Sequence, residues 1–375
     1  MKNPFVYGET VSGEHFCNRV LEIDELVADV KNGVNVIIFS PRRYGKTSLI
    51  MRVLEEARAE GLLTFYVDLY PAINKQKFVE IYANAISVGL PGKVSGIAKK
   101  LKEYLPRIIP KVVIDDQSMR FEFEFDRTAN ISPHIDDLLE AVKKASDQNK
   151  KDAVVVFDEF QEIVNFNGNE IERKMRSAFQ THRNVSYIFM GSKTHLMRDI
   201  FNNPNRPFYK SGKHFPLRKI EPEELGAFAK AKYLAGGIKV AENEINEILN
   251  ISECHPYYFQ MLSHVLWEIC QEARVITQQY VEEAVNILIS RESSAYITLW
   301  EGLTINQKNL MCALAWEEHP EVFSKKFLEK YSLGASSSIQ KALKKLLRQD
   351  LVQQDNGSYI ILDPFLKRWI RRIWK

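Results

Sequence analysis

Four short stretches carry residues whose types and order suit phosphate chemistry. The first is Val34–Thr47, reading VNVIIFSPRRYGKT. An apolar, largely β-branched run leads into a polar turn, the turn closes on Gly45-Lys46-Thr47, and a helix-like stretch from Ser48 follows. Backbone N–H groups of such a loop, and the N-terminus of the helix after it, attract a polyphosphate. Ser40, Pro41, Arg42, Arg43, Tyr44, Gly45, Lys46, Thr47 and Ser48 are therefore expected to cradle a nucleotide such as ATP. Lys46 would reach the β- and γ-phosphates and the Thr47 hydroxyl would bind Mg²⁺. The motif G-x-x-x-x-G-K-[ST] asks for glycine where this chain has Ser40. Of the two arginines, one is expected to pair with an acid or help neutralise phosphate and the other to face solvent.

The second stretch is Asp158-Glu159, at the end of the apolar run Ala153–Phe157. In that place Asp158 would hold Mg²⁺ and Glu159 would orient or deprotonate the attacking water. The alternative is a solvated acidic pair capping a helix. The third is Ser192, after Val185–Met190; it reads either as a sensor of the γ-phosphate or as an ordinary N-cap. The fourth is His255-Pro256, which opens a helix and reads as helix initiation or as a lid contact over the nucleotide. Arg206, Lys210 and Lys213 lie in a loop from which a cation could reach the γ-phosphate as an arginine finger; a solvated basic loop is the competing reading.

These residues need elements to hold them. With 375 residues the chain is too long for one ordinary core, so two or three domains are expected. At 45% apolar and 26% charged it has the composition of a soluble globular protein. The N-terminus lacks a signal-peptide pattern and no apolar run approaches the ~20 residues of a membrane helix. Cys17, Cys254, Cys270 and Cys312 show no C-x-x-C spacing and read as reduced core thiols in a cytoplasmic protein.

Up to residue 220, apolar strands alternate with helical stretches, which implies a parallel sheet covered by helices. Lys93–Tyr104 reads as a helix broken by Pro106 and Pro110, and Val112–Ile114 with Arg120–Phe125 reads as a hairpin outside that sheet. Residues 221–296 show helical periodicity only; the expected helices are 223–234, 242–250, 256–273 and 277–289. Residues 297–375 read as three helices, a two-stranded wing turning at Asp355-Asn356-Gly357, and a final basic helix, Pro364–Trp374. Thr304 to Gln307 is a capping box. The net charge is +3, of which Thr298–Lys375 supplies 13 Lys/Arg against 8 Asp/Glu. Gln340, Lys341, Lys344, Lys345 and Arg348 fall on the third helix, and Lys367, Arg368, Arg371, Arg372 and Lys375 on the last segment. DNA is one candidate partner for this face, and a protein partner or self-association is another.

Taken together, the sequence resembles the archaeal-type ATPases of the STAND/AAA+ group. Phe16-Cys17-Asn18-Arg19, Pro41–Ile50, Phe157-Asp158-Glu159-Phe160-Gln161, Met190-Gly191-Ser192, Cys254–Tyr258 and Asp363–Trp369 carry the likeness across nearly the whole chain. The resemblance implies an α/β P-loop NTPase core of ASCE/AAA+ type, an all-α lid and a C-terminal winged helix, a layout similar to origin-recognition initiators. It implies that Lys46 and Thr47 bind phosphate and magnesium, that Asp158 and Glu159 form Walker B, that Ser192 is the first sensor, and that His255-Pro256 is the lid's nucleotide-contacting motif. ATP would then bind between core and lid, and its hydrolysis would reposition the winged helix. Two departures are Ser40 and the absence of Gly-Arg in Pro207–Ser211, which weakens the case for a finger at Arg206.

Overall fold

The computed structural model describes residues 2–374 apart from 12, 18, 116–117, 126–129, 167–168, 319 and 356. Asn18 of the Phe16–Arg19 stretch, Asn356 of the wing turn and Lys375 of the basic terminus thus lie outside the described residues. The chain forms two compact units, and neither is one continuous segment. One comprises Arg19–Ser40 and Lys46–Leu217; the other comprises Met1–Asn18, Pro41–Gly45 and Arg218–Lys375.

The first unit runs α1 (Val20–Lys31), β1 (Val36–Phe39), α2 (Lys46–Ala59), β2 (Leu63–Asp68), α3 (Lys75–Gly89), α4 (Val94–Tyr104), β3 (Ile109–Asp115), β4 (Ser118–Glu124), α5 (Ser132–Asn149), β5 (Ala153–Asp158), α6 (Glu170–Phe179), β6 (Val185–Gly191), α7 (Thr194–Asn202) and β7 (Lys213–Phe215). A five-stranded sheet of order β2-β5-β6-β1-β7 forms its centre, and every pairing in it is parallel. β5 and β6 are buried at every position, which their unbroken apolar composition requires of strands covered on both faces. Phe157, Phe189, Tyr187 and Phe179 stack in one aromatic group, with Phe160, Phe201 and Phe208 against it.

β3 and β4 pair only with each other, so the hairpin does stand apart from the central sheet. α4 ends at Tyr104, ahead of Pro106, and Pro110 lies inside β3 opposite Phe123.

The second unit runs α8 (Pro222–Ala235), α9 (Glu242–Ser252), α10 (Pro256–Ile269), α11 (Gln278–Glu301), α12 (Ile305–Trp316), α13 (Lys325–Lys330), α14 (Ser336–Arg348), β8 (Val352–Asp355), β9 (Ser358–Ile361) and α15 (Pro364–Ile373). The helices share one apolar core with the wing and with the N-terminal segment. Phe5 is fully buried there against Phe228, Tyr233 and Trp267, and the Asn3 amide donates to the His264 carbonyl. α11 continues well past its expected end at Ile289. The polar run Ser290–Ser294 hides the continuation, but Tyr296 is buried one turn later against Trp369, and that packing extends the helix. The capping box at Thr304 and Gln307 is formed.

Candidate functional site

The strand order brings three polar strand ends together. Phe39 is in register with Gly191, and Phe157 with Phe189, so Ser40, Asp158-Glu159 and Ser192 all leave the carboxyl end of the sheet side by side. Ligands of open parallel sheets bind at that end. Lys46 opens α2, is only 7% exposed, and donates from Nζ to the Ser40 carbonyl at 2.7 Å, with Ser40 Oγ at 3.5 Å. The backbone at Ser40 does not enter the left-handed region, whereas Arg43 (φ 67°) and Gly45 (φ 80°) do. The left-handed backbone favours glycine at Gly45, and position 40 has no such demand, which explains how the loop accommodates serine.

Thr47 Oγ1 donates to Asp158 Oδ2 at 3.2 Å. Tyr66 in β2 donates its hydroxyl to the same oxygen at 2.6 Å, and Asp158 Oδ1 accepts the Glu159 N–H at 2.8 Å. Burial raises the Asp158 pKa, opposed by the bonds from Tyr66 and Glu159 and by the charge of Lys46. A hydroxyl and a buried carboxylate meeting at the start of a phosphate-loop helix are hard oxygen donors of the kind Mg²⁺ takes, so the residues fit that ion.

Glu159 has a left-handed backbone, φ 50°, a strain that non-glycine residues carry mainly at functional sites. Its Oε2 accepts the Ser192 hydroxyl at 2.8 Å and the Ser192 N–H at 3.3 Å, and also the Gln161 amide. Ser192 is thus bonded directly to Glu159, and at 1% exposure it is no free cap. Gln161 is equally buried and its Oε1 has no partner. A Cβ at Gly191 would lie 2.4 Å from that oxygen, so only glycine leaves room for Gln161.

The cations of the 202–213 loop are engaged elsewhere. Arg206 bonds Glu172 at 2.6 Å, a carboxylate that is 1% exposed, and approaches Asp199 at 3.6 Å. Freeing it as an arginine finger would strand Glu172 as a buried, unpaired charge. Lys213 pairs with Glu25 and Asp29. Lys210 is exposed.

The loop tip, Pro41–Gly45, belongs to the second unit. Arg42 Nε lies 3.9 Å from Asp350 Oδ2. The Arg43 guanidinium stacks over the Tyr257 ring at 4.2 Å and donates to the Tyr258 hydroxyl at 3.3 Å. The ring of Tyr44 meets that of His255 edge-on at 4.7 Å, and its hydroxyl accepts from the Gln353 amide at 3.3 Å. Neither arginine is a plain solvent-facing residue, although both are largely exposed. His255 caps α10 with Pro256 in the first turn. It is buried, and burial, with Lys219 and Arg43 adding to it, lowers its pKa to about 3, so it is a neutral contact at neutral pH.

The Tyr258 ring meets that of Phe365 at 5.9 Å, next to Asp363, the N-cap of α15, whose carboxylate accepts the N–H groups of Phe365 and Leu366 and the Tyr296 hydroxyl. On the winged helix, Gln340, Lys341, Lys344, Lys345 and Arg348 of α14 are all exposed. The cations of α15 are not a free basic face: Lys367 pairs with Glu253, Arg371 donates to the Ala315 carbonyl and Arg372 to Asn286.

Reading motifs missed Tyr66 and gave Gln161 no role. Tyr66 lies mid-strand among apolar Phe65 and Val67, and only the sheet order places it beside Asp158. Gln161 was visible two residues after Glu159, but it occupies a 3₁₀ turn, Phe160–Asn165, that periodicity does not announce.

Residues 16–186 match the family of ATPase domains predominantly from Archaea, and residues 294–372 match a probable winged helix domain. Among solved structures, the Walker-type ATPase of Pyrococcus abyssi is similar over 98% of this chain and 99% of its own, at a TM-score of 0.69 and 15% identity. The ORC2 protein of Aeropyrum pernix, in ADPNP–ADP complexes, matches 99% of this chain and 97% of its own at 0.58 and 15%. The ORC1 protein of the same organism, in complex with DNA, matches 96% and 94% at 0.50 and 12%. These likenesses establish the P-loop ATPase fold with a helical region and winged helix. An uncharacterized WD repeat-containing protein of Synechocystis is 25% identical over 166 residues; the match covers 40% of this chain and 14% of that protein. No helix among the described residues is long and apolar enough to cross a membrane.

Proposed function

We propose that this protein, a P-loop ATPase with an archaeal-type ATPase domain and a C-terminal winged helix, works as a switch whose nucleotide state is read by the winged helix. In this reading 1–220 form the core, apart from Met1–Asn18, Pro41–Gly45 and residues from Arg218, which belong to the second unit; 221–296 form the lid and 297–375 the winged helix. ATP is held at the 40–48 loop, with Lys46 on its phosphates, and Thr47 and Asp158 hold Mg²⁺, which when bound neutralises phosphate charge. Glu159 accepts a proton as a water oxygen bonds the γ-phosphorus and the bond to the leaving ADP oxygen breaks. A γ-phosphate that draws the Ser192 hydroxyl to itself removes one of the three donors now gathered on Glu159 Oε2.

One observation carries the switch. Three consecutive loop residues, Arg42, Arg43 and Tyr44, each touch the lid or the winged helix: Asp350, the Tyr257–Tyr258 pair, and His255 with Gln353. Through Tyr258 the contact extends to Phe365 at the start of α15. A polyphosphate that recruits Arg43 must compete with these partners, which gives ATP the differential affinity a switch needs. Amide hydrogen exchange tests it. ATP is expected to change exchange over residues 350–366 about fivefold or more, the scale of a coupling of ~1–3 kcal/mol. Tyr258→Phe should blunt that response while ATP still binds. Exchange that is the same with and without ATP would leave an ATPase with no switch.

A second reading is a DNA-binding initiator or regulator, favoured by the exposed basic face of α14. Reversing the charges of Lys341, Lys344 and Lys345 should then lower duplex-DNA affinity at least about tenfold at low salt and flatten its salt dependence. Affinity that survives the reversal, or is absent from the wild-type chain at low salt, removes this reading in favour of a protein partner.

A further inference from the structure

We propose that Tyr66 is a positioning residue for the metal-binding carboxylate, setting the orientation in which Asp158 meets Mg²⁺. The proposal rests on the reading above that Thr47 and Asp158 hold the ion. Asp158 has few ways to be held. It ends β5, is only 6% exposed, and both of its oxygens are engaged. Oδ1 takes the N–H of the next residue, which is a fixed feature of the strand end. Oδ2 takes two hydroxyls, Thr47 at 3.2 Å and Tyr66 at 2.6 Å.

Thr47 is itself the expected ligand of the ion, so its hydroxyl has another role once metal is bound. Tyr66 has none. Its hydroxyl comes from β2, the strand next to β5, and donates to the carboxylate from there. Short O–H···O⁻ bonds of this kind are among the stronger hydrogen bonds in proteins. The rigidity of the donor adds to its effect. Its backbone is paired with β5 through the register Tyr66–Val156, so the distance from ring to carboxylate is set by the sheet and not by a loop. Groups that hydrogen-bond a metal ligand from outside typically matter 10–100-fold for metal affinity or activity.

The ring is also placed so that the oxygen can be removed alone. Tyr66 is half-buried and lines a surface cavity of about 560 Å³ with Met51, Leu54, Ile81 and Val88, so phenylalanine keeps the wall and deletes only the donor.

The test is direct binding of a fluorescent ADP to the full chain, first in EDTA and then across a Mg²⁺ titration. Tyr66→Phe is expected to match wild type in EDTA and to need about tenfold more Mg²⁺ for the half-maximal gain in affinity. A purely structural role would instead weaken binding in EDTA and leave the Mg²⁺ midpoint in place, which overturns the proposal. A double-mutant cycle with Asp158→Asn gives a second check. If Tyr66 acts through that carboxylate, Tyr66→Phe has no further effect on the midpoint once Asp158 is changed; an undiminished effect overturns it. The two readings fail differently. A wild-type chain whose ADP affinity ignores Mg²⁺ overturns the metal reading and this proposal with it, whereas a Mg²⁺-dependent wild type with an unshifted Tyr66→Phe overturns only the role of Tyr66.

Discussion

Glu159→Gln is expected to bind ATP with wild-type affinity and to lose turnover by about 10²–10⁴-fold, the range a positioned general base supplies. Binding survives because the replacement keeps the shape and the acceptor. Every hydrogen bond described to the Glu159 side chain is a donation to Oε2, from the Ser192 hydroxyl, the Ser192 N–H and the Gln161 amide. An amide oxygen accepts the same three donors. It cannot take a proton from water, so the loss falls on kcat. The left-handed backbone at Glu159 is unchanged by the substitution, since both residues tolerate it equally. Steady-state phosphate release and equilibrium ATP binding, measured on the same preparation, separate the two effects. Turnover within a few-fold of wild type would remove Glu159 as the base. A joint loss of binding and turnover would instead make the Ser192–Glu159–Gln161 group a support for the fold.

The route to that site was only partly open in the sequence. The strand runs were legible because fully buried parallel strands are continuous apolar segments, and Ala153–Asp158 and Val185–Gly191 came out within a residue or two of their observed ends. Lys46, Thr47, Asp158, Glu159 and Ser192 were visible for the same reason: each directly follows a strand or opens a helix. What the sequence concealed is whatever depends on neighbours far along the chain. Arg206 looked like a free loop cation until Glu172, in a different helix, was placed against it at 2.6 Å. The basic run after Pro364 looked like a charged face, but Glu253, Ala315 and Asn286 engage three of its cations. The early segment around Phe5 gave no sign that its aromatic ring belongs to the core built by α8 and α10. The loop tip is the sharpest case. Arg42, Arg43 and Tyr44 occur within a phosphate-binding motif, and their partners lie more than two hundred residues away; no local pattern reports that.

Lys46→Met should cut nucleotide-induced stabilisation to about half or less without greatly destabilising the free protein. Lys46 is only 7% exposed; its ammonium bonds the Ser40 carbonyl at 2.7 Å and acts electrostatically on Asp158. Methionine keeps the length of the side chain and fills the space that alanine would leave empty. One cost opposes this, the Ser40 carbonyl left without its donor, worth about 1–3 kcal/mol if no other group reaches it. The expectation is therefore a melting temperature for the free variant close to that of wild type. ATP binding is another matter. A hydrogen bond between charged groups contributes about 1.5–3 kcal/mol, which is about a 10–100-fold loss of affinity for one phosphate contact. With ATP at a hundred times its wild-type dissociation constant, ligand binding stabilises the wild-type fold by about 2.7 kcal/mol. At the same ATP concentration the variant should gain between about 0.4 and 1.4 kcal/mol, by the same relation. Thermal melts with and without ATP read both numbers in one experiment. A variant that melts far below wild type in the absence of nucleotide would show that Lys46 is held for the fold. One that ATP stabilises as strongly as wild type would show that the phosphates are bound without Lys46.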